Sequence, residues 1–301
     1  MPASTGADPN RPASCDRVQV TAPAKINLFL HITGRRRDGF HLLESLFVFT
    51  RAGDVVTVNP SSELSFSITG PFAAALAEGG ENLVVTAAKA LAKAAGIAPN
   101  AAISLEKNLP VAAGIGGGSA DAAATLLALN QLWQLDWSLE RLASLALSLG
   151  ADVPACLFGK TLYVQGVGEN LTPVSLGFEA GILLVNPGRA LSTPAVFGAY
   201  RLDQTAFDAP GVASDKPWQS LQKITQDTHN ALQRAAVVAC PEVEQVLDYL
   251  IAIPGVKLVR MSGSGATCFA LFESREAAIA ALAEGQKAKP EWWFMADTLA
   301  V

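Results

Sequence analysis

Residues 109–124, LPVAAGIGGGSADAAA, gather Gly114, Gly116, Gly117, Gly118 and Ser119 just ahead of an alanine- and leucine-rich run. Glycines let a backbone approach an anion closely and take positive φ at little cost. The unpaired N–H groups and positive dipole end of a following helix then face that anion. A Walker A loop would end in Gly-Lys-Ser/Thr, whereas Gly118 is followed by Ser119 and Ala120. Gly114, Gly116 and Gly117 also miss the G-x-G-x-x-G spacing of a dinucleotide loop. Two readings stay open: a phosphate cradle of another kind, or a flexible loop capped by Ser119 with Asp121 favoured in the first turn.

Other residues of suitable type lie elsewhere in the chain. Lys25 and Asn27 share the polar face of a strand with His31, as a solvated edge or as part of a site. Asp152, between Gly150 and Pro154, suits a helix N-cap or a general base near a phosphate donor. Arg35, Arg36 and Arg37 can contact phosphate, although arginines in a turn are commonly solvated. Gly263, Ser264 and Gly265 read as a tight hairpin or as a second backbone anion site.

The elements that must position these groups follow from periodicity. Residues 18–32 alternate, with Ile26, Leu28, Leu30 and Ile32 on a buried face and Lys25, Asn27, Phe29 and His31 opposite. A turn at 34–39 and strands at 42–49, 54–59 and 64–69 make the opening β-rich. Asn82 predicts the N-cap of a helix over 83–95 that Gly96 closes. A strand at 101–106 leads into the glycine loop, whose helix runs to about Trp133, and Ser138 caps a helix over 139–149. Strands at 161–165 and 181–186 follow, then a short helix at 193–200 and a loop-like insertion at 202–219. Helices at 221–238 and 242–252, strands at 256–261 and 267–272, a helix at 275–285 and a strand at 292–297 complete a split βαβ order. The pattern breaks at 172–178, which predicts a tail over 1–17, an N-terminal domain over 18–175 and a C-terminal domain over 176–301.

Half of the 301 residues are hydrophobic and 16% are charged, so a sizeable core is expected. A net charge of −5 argues against broad binding to nucleic acid or to an anionic membrane. Phosphate chemistry then rests on a local site. Cys15, Cys156, Cys240 and Cys268 form no C-x-x-C pair, which suits a reduced cytoplasmic protein, and three scattered histidines supply no zinc spacing. The Pro-, Ala- and Ser-rich start lacks a secretory h-region, and no apolar run reaches the ~20 residues that cross a bilayer.

Taken together, Pro23-Ala-Lys-Ile-Asn27, the loop over 110–124 and the turn over 261–267 resemble, in order and spacing, the three signature motifs of the GHMP kinase superfamily. GRRRDGFHL at 34–42, GADVP at 150–154 and STPAVF at 192–197 narrow the resemblance to the 4-diphosphocytidyl-2-C-methyl-D-erythritol kinase family of the non-mevalonate isoprenoid pathway. The resemblance implies an α+β, two-domain GHMP kinase fold: a β-rich N-terminal domain with helices and a ferredoxin-like C-terminal domain. It further implies ATP, with Mg2+, as phosphoryl donor to the 2-hydroxyl of a small, cytidine diphosphate-linked acceptor, in a cytoplasmic monomer or homodimer.

Residue by residue, the resemblance makes Lys25 and Asp152 the catalytic pair, with Asp152 as base. ATP would be held by Pro110, Val111, Ala112, Ala113, Gly114, Ile115, Gly116, Gly117, Gly118, Ser119 and Ala120, with Lys107 and Asn82 near the adenosine. Ser119 is the expected protein ligand of the magnesium, and Ala120 stands where some relatives carry a second serine. The acceptor would meet Asn27, Phe40, His41, Thr193, Phe197, Gly263 and Ser264, its cytosine lying between the rings of Phe40 and Phe197 with its edge on His41. Phe40 stands where the family often has Tyr, which keeps stacking and loses a hydroxyl. A GHMP kinase acting on mevalonate, homoserine or a sugar would share the glycine and lysine motifs without the aromatic pocket. A non-catalytic nucleotide-binding protein of this fold would need neither Lys25 nor Asp152.

Overall fold

The first hairpin runs further than its alternation predicts. In the computed structural model, which describes residues 17–77, 82–202 and 206–300, β1 (Val18–Arg35) pairs antiparallel with β2 (His41–Asn59). The expected turn narrows to its end, where Arg36 N–H donates to Phe40 O and Gly39 takes φ +96°. The two strands expected over 42–59 are one, and Gly53 permits this. A Cβ on Gly53 would lie 2.0 Å from Ala22 O, so the two backbones approach to a distance that only glycine allows. The expected tail, apart from Arg17, lies outside the described residues.

Both faces of β1 are buried, unlike the one-sided strand expected. Register shifts between Asn27 and Phe29 and between Ile32 and Gly34 divide the strand. Ala24, Ile26 and Leu28 join one apolar cluster, whereas Leu30 and Ile32 join another. The shift thus places Lys25, Asn27 and Leu30 on the same cavity wall.

The chain continues through β3 (Ser65–Thr69), α1 (Ala73–Ala77) and α2 (Leu83–Ala95). The α2 caps are those predicted: Asn82 Oδ1 accepts from Val84 N–H at 2.9 Å, and Gly96 takes φ +70°. Next come β4 (Ala102–Glu106), α3 (Gly117–Leu132), α4 (Leu139–Ala146), α5 (Val153–Phe158), β5 (Leu162–Gly166) and β6 (Asn170–Pro173). Ser138 caps α4, which ends before the expected 149. The second half holds β7 (Gly181–Asn186), α6 (Thr193–Leu202), α7 (Leu221–Asp227), α8 (Gln233–Ala239), α9 (Glu242–Ile251), β8 (Leu258–Met261), β9 (Cys268–Phe272), α10 (Arg275–Ala288) and β10 (Trp293–Ala300).

The strands order as β3-β4-β2-β10-β7-β9-β8, with β1 and β5 also on β2 and β6 on β5. Within the second half, β10-β7-β9-β8 is antiparallel throughout, with the first strand between the fourth and third. That is the ferredoxin-like arrangement expected of the split βαβ order. β10 reaches β2 at Leu299 and Ala300, and Asp297 Oδ2 accepts from the N–H groups of Arg51 and Ala52 at 2.7 Å each. One apolar cluster packs α2, α3 and α5 on β2 and β4, and a second packs α6, α8, α9 and α10 on β7 and β9. The third lies between them around Phe29, Ile115, Trp218 and Phe269.

One helix expected over 221–238 is two. Thr228 is extended, and the chain at 229–231 leaves the helical path to pair with β1. Leu30 N–H donates to His229 O at 2.9 Å, and Ala231 N–H donates to Leu30 O at 2.8 Å. Asn230 Nδ2 then donates to Met261 O and Gly263 O, both at 2.8 Å. These long-range bonds outweigh the modest propensity of one helical turn. Asn230→Ala leaves two buried carbonyls without donors, so it should lower unfolding free energy by about 2–4 kcal/mol, read from urea denaturation.

Candidate active site

The glycine loop is shaped by where its carbonyls go. Ala112 O accepts from Leu191 N–H, Ala113 O from Thr267 N–H, Gly114 O from the Ser262 hydroxyl and Ile115 O from Lys25 N–H, at 2.9–3.2 Å. The residues alternate through the left-handed region, with φ +51° at Ala112, +73° at Gly114 and +65° at Gly116. Ala112 is not a glycine, so its conformation carries strain that the surrounding bonds hold in place. Among the described residues, the N–H groups of residues 113–119 find no protein acceptor. A concave run of free donors of this kind is an anion nest.

Helix α3 starts at Gly117 with Gly116 as N-cap and no side-chain cap. Ser119 therefore does not cap, contrary to one expectation. It lies in the first turn and lines the cavity, and the helix end stays open to an anion. Asp121 does not sit in the first turn either. It is buried, 2.6 Å from Lys107 Nζ, which also meets Asp54 Oδ2 at 2.5 Å.

A cavity of about 810 Å³ opens in front of the loop. Pro110, Val111, Ala112, Ala113, Gly114, Gly116, Gly117, Gly118 and Ser119 line it, as do Asn82 and Lys107. Ile115 and Ala120 do not. Both side chains face the apolar clusters and anchor the loop from behind. The ammonium of Lys107 is engaged by two carboxylates, so this lysine meets the cavity with its charge already paired.

Lys25 is buried on β1, not solvated at an edge. Its Nζ lies 3.1 Å from Asp152 Oδ2, 3.0 Å from Asn27 Oδ1 and 4.2 Å from the centre of the Phe47 ring. Asn27 is fixed in turn by Nδ2 donating to Ser45 Oγ at 2.8 Å, and the Ser45 hydroxyl donates to Phe29 O. Asp152 precedes α5 but makes no capping bond. Its side chain is 35% exposed toward the cavity, which leaves carboxylate lone pairs for another partner. Lys25 and Gly116 also touch: a Cβ on that glycine would lie 3.1 Å from Lys25 Cβ and Cε.

The turn after β8 seals the loop from the other side. The Ser262 hydroxyl accepts from Asn27 N–H and donates to Gly114 O, both at 3.1 Å. Ser264 Oγ lies 2.8 Å from Thr193 Oγ1, which joins this turn to the start of α6. Gly263, Ser264 and Thr193 all line the cavity. At that end His41 stacks on Phe197, with ring centres 4.9 Å apart and planes 25° apart, and meets Tyr200 edge-on. Phe40 stands 63% exposed beside them. The expectation set the cytosine between Phe40 and Phe197 with its edge on His41, whereas here His41 itself stacks on a face of Phe197. Burial first, then the charges of Arg35 and Arg201, push the His41 pKa below its usual value. A neutral imidazole at pH 7 offers one donor and one acceptor.

Of the three arginines singled out, Arg36 pairs with Asp38 at 2.6 Å and Arg35 donates to Gly39 O. None of the three lines the cavity. Arg201 does, and reasoning from the sequence missed it, as it missed Asp54, Ser45 and Ser262. A carboxylate in a strand or a serine in a turn has no local signal. Each acquires its role from a partner many positions away.

A family profile described as "GHMP kinases N terminal domain" matches residues 82–160, and one described as "GHMP kinases C terminal" matches residues 214–290. A curated protein of Rhodospirillum rubrum named 4-diphosphocytidyl-2-C-methyl-D-erythritol kinase is 45% identical, over 95% of this chain and 94% of its own. A protein of the same name from Brucella melitensis biotype 1 is 47% identical, over 90% of this chain and 92% of its own. A crystal structure of 4-(cytidine 5'-diphospho)-2C-methyl-D-erythritol kinase superposes with a TM-score of 0.79 at 36% identity, over 94% of this chain and all of that one.

A Cβ on Gly114 would lie 2.5 Å from Ser262 O and 2.6 Å from Gly265 N, at a φ of +73°. Gly114→Ala should therefore prise the loop from the turn. A loss of about 2–3 kcal/mol in unfolding free energy is expected, with a matching loss of ATP affinity by calorimetry.

Proposed function

The chain belongs to the 4-diphosphocytidyl-2-C-methyl-D-erythritol kinase family, and from that membership we propose how its residues divide the work. The reaction is ATP-dependent phosphorylation of the 2-hydroxyl of 4-diphosphocytidyl-2-C-methyl-D-erythritol, a step toward isoprenoid precursors. One observation carries the assignment of roles. A nest of free N–H groups and a Lys25–Asp152 pair at 3.1 Å face the same cavity, with an aromatic cluster at its far end.

The loop from Pro110 to Ser119 binds the ATP phosphates through its amides and the open end of α3, with Asn82 toward the adenosine. Ile115 and Ala120 support the loop from behind. Asp152 takes the proton of the acceptor hydroxyl as its oxygen attacks the γ-phosphorus, while the bond from that phosphorus to the β–γ bridging oxygen breaks. Lys25, held by Asn27 and Asp152, sets its ammonium where negative charge gathers on the transferred group. Among the described residues, no group of three or more His, Cys, Asp or Glu side chains is placed to hold a metal ion. The donors that fit Mg2+ are then the Ser119 hydroxyl and the phosphates that the ion arrives with. Bound there, the ion would offset phosphate charge.

Phe40, Phe197 and His41 take the cytosine, its edge on the neutral imidazole, and Thr193, Gly263, Ser264 and Asn27 line the path between base and reacting hydroxyl. On this reading residues 18–175 supply the nucleotide loop and the base, and residues 176–301 supply Phe197 and the closing turn. Three cysteines are buried as free thiols, which supports a place in the cytoplasm.

The deciding experiment is a phosphoryl-transfer assay with ATP against the cytidine-linked methylerythritol, mevalonate and homoserine. Turnover is expected with the first alone, and turnover only with either of the others overturns the assignment. Asp152→Asn should lower kcat by about 10²–10⁴-fold while ATP affinity stays within a few-fold. Phe197→Ala should raise KM for the cytidine-linked acceptor by about tenfold and leave KM for ATP near its starting value. Equal changes in both would remove Phe197 from the acceptor pocket.

A further inference from the structure

Behind the phosphate loop lies a cluster that the reaction itself does not use. Asp54, Lys107 and Asp121 are all buried, at 0%, 2% and 3% exposure. They come from β2, the segment after β4 and the second turn of α3. Lys107 Nζ meets one oxygen of each carboxylate. Asp54 spends its other oxygen on the backbone, accepting from Asn108 N–H at 2.6 Å and Leu109 N–H at 2.8 Å. Those two residues lead into the loop. At the loop's exit, a Cβ on Gly117 would lie 3.1 Å from Lys107 Nζ and 3.8 Å from Asp54 Oδ2. The entry and exit of the loop are thus tied through a single ammonium.

We propose that Asp54, Lys107 and Asp121 are positioning residues that fix the span between the entry and exit of the phosphate loop, and so set its affinity for a nucleotide polyphosphate. The proposal rests on the kinase reading above, since it takes the loop as the ATP site. A hydrophobic plug would fill the same volume, but it could not hold backbone N–H groups at defined points. A buried ion cluster has directional bonds and loses them if either end shifts.

Two carboxylates share the one ammonium, and Asp121 Oδ1 has no hydrogen-bond partner.

The test is calorimetric titration of ATP, without acceptor, into the wild type, Asp121→Ala and Asp121→Asn, together with KM for the acceptor. Asp121→Ala should weaken ATP binding by about tenfold or more with acceptor KM within about twofold. Asp121→Asn, which still offers an oxygen to Lys107, should recover most of that loss. Unchanged ATP binding in a folded Asp121→Ala chain, or equal losses for ATP and acceptor, would overturn the proposal. If Asp121→Ala does not fold, Asp121→Ser, too short to reach Lys107, decides in its place: weaker ATP binding with acceptor KM within about twofold supports the proposal, and unchanged ATP binding overturns it. A wild type that binds ATP more tightly than Asp121→Ala yet transfers nothing to the acceptor would sink the kinase reading and leave the positioning role standing.

Discussion

Four consecutive carbonyls, from Ala112 to Ile115, accept hydrogen bonds from β1, the segment after β7 and the turn after β8. A peptide unit whose carbonyl is fixed on one side presents its N–H on the other. Fastening the carbonyls to the protein therefore aims the amides into the cavity before any ligand arrives. The donors are preorganised, and little ordering entropy remains to be lost when phosphate binds. The same bonds explain the left-handed φ of Ala112, because Leu191 N–H and Thr267 N–H hold the chain around it.

Charge is placed with comparable economy. The cavity receives two buried lysines, and both are neutralised locally, Lys25 by Asp152 and Lys107 by Asp54 and Asp121. The protein is acidic overall, so neither the surface nor a pool of free cations draws in a polyanion. On the proposed reading, affinity for phosphate rests on oriented backbone dipoles. Such a site discriminates by shape, since amides at fixed angles accept a tetrahedral oxyanion more readily than a diffuse negative surface would.

Much of this was legible in the sequence, to the extent that local rules apply. Asn82 and Gly96 mark the ends of α2, and Ser138 marks the start of α4, because caps act within a turn of the residues that they serve. The glycine loop was legible for the same reason, and the motif set led to Lys25, Asp152 and the family. What escaped was non-local. A shift of register inside β1 moves Leu30 to another cluster, and Asn230 breaks a helix to reach Met261 and Gly263. Asp54 lies in a strand of ordinary alternation and gains its meaning only when β4 brings Lys107 against it. Residues whose partners lie 53 or more positions away cannot be assigned from spacing.

The placement of β10 bears on how the protein comes into being. During synthesis, β1, β2 and the glycine loop leave the ribosome first, yet the bonds that shape the loop come from residues 191, 262 and 267. β10, made after every other described element, joins β2 to β7 and carries Asp297 to the backbone of Arg51 and Ala52. Until then β7 lacks a neighbour along one edge, and the nascent chain carries an open strand. Topology of this kind leaves the bonds of the loop incomplete until residue 267 has been made, and the sheet open until β10 has been made.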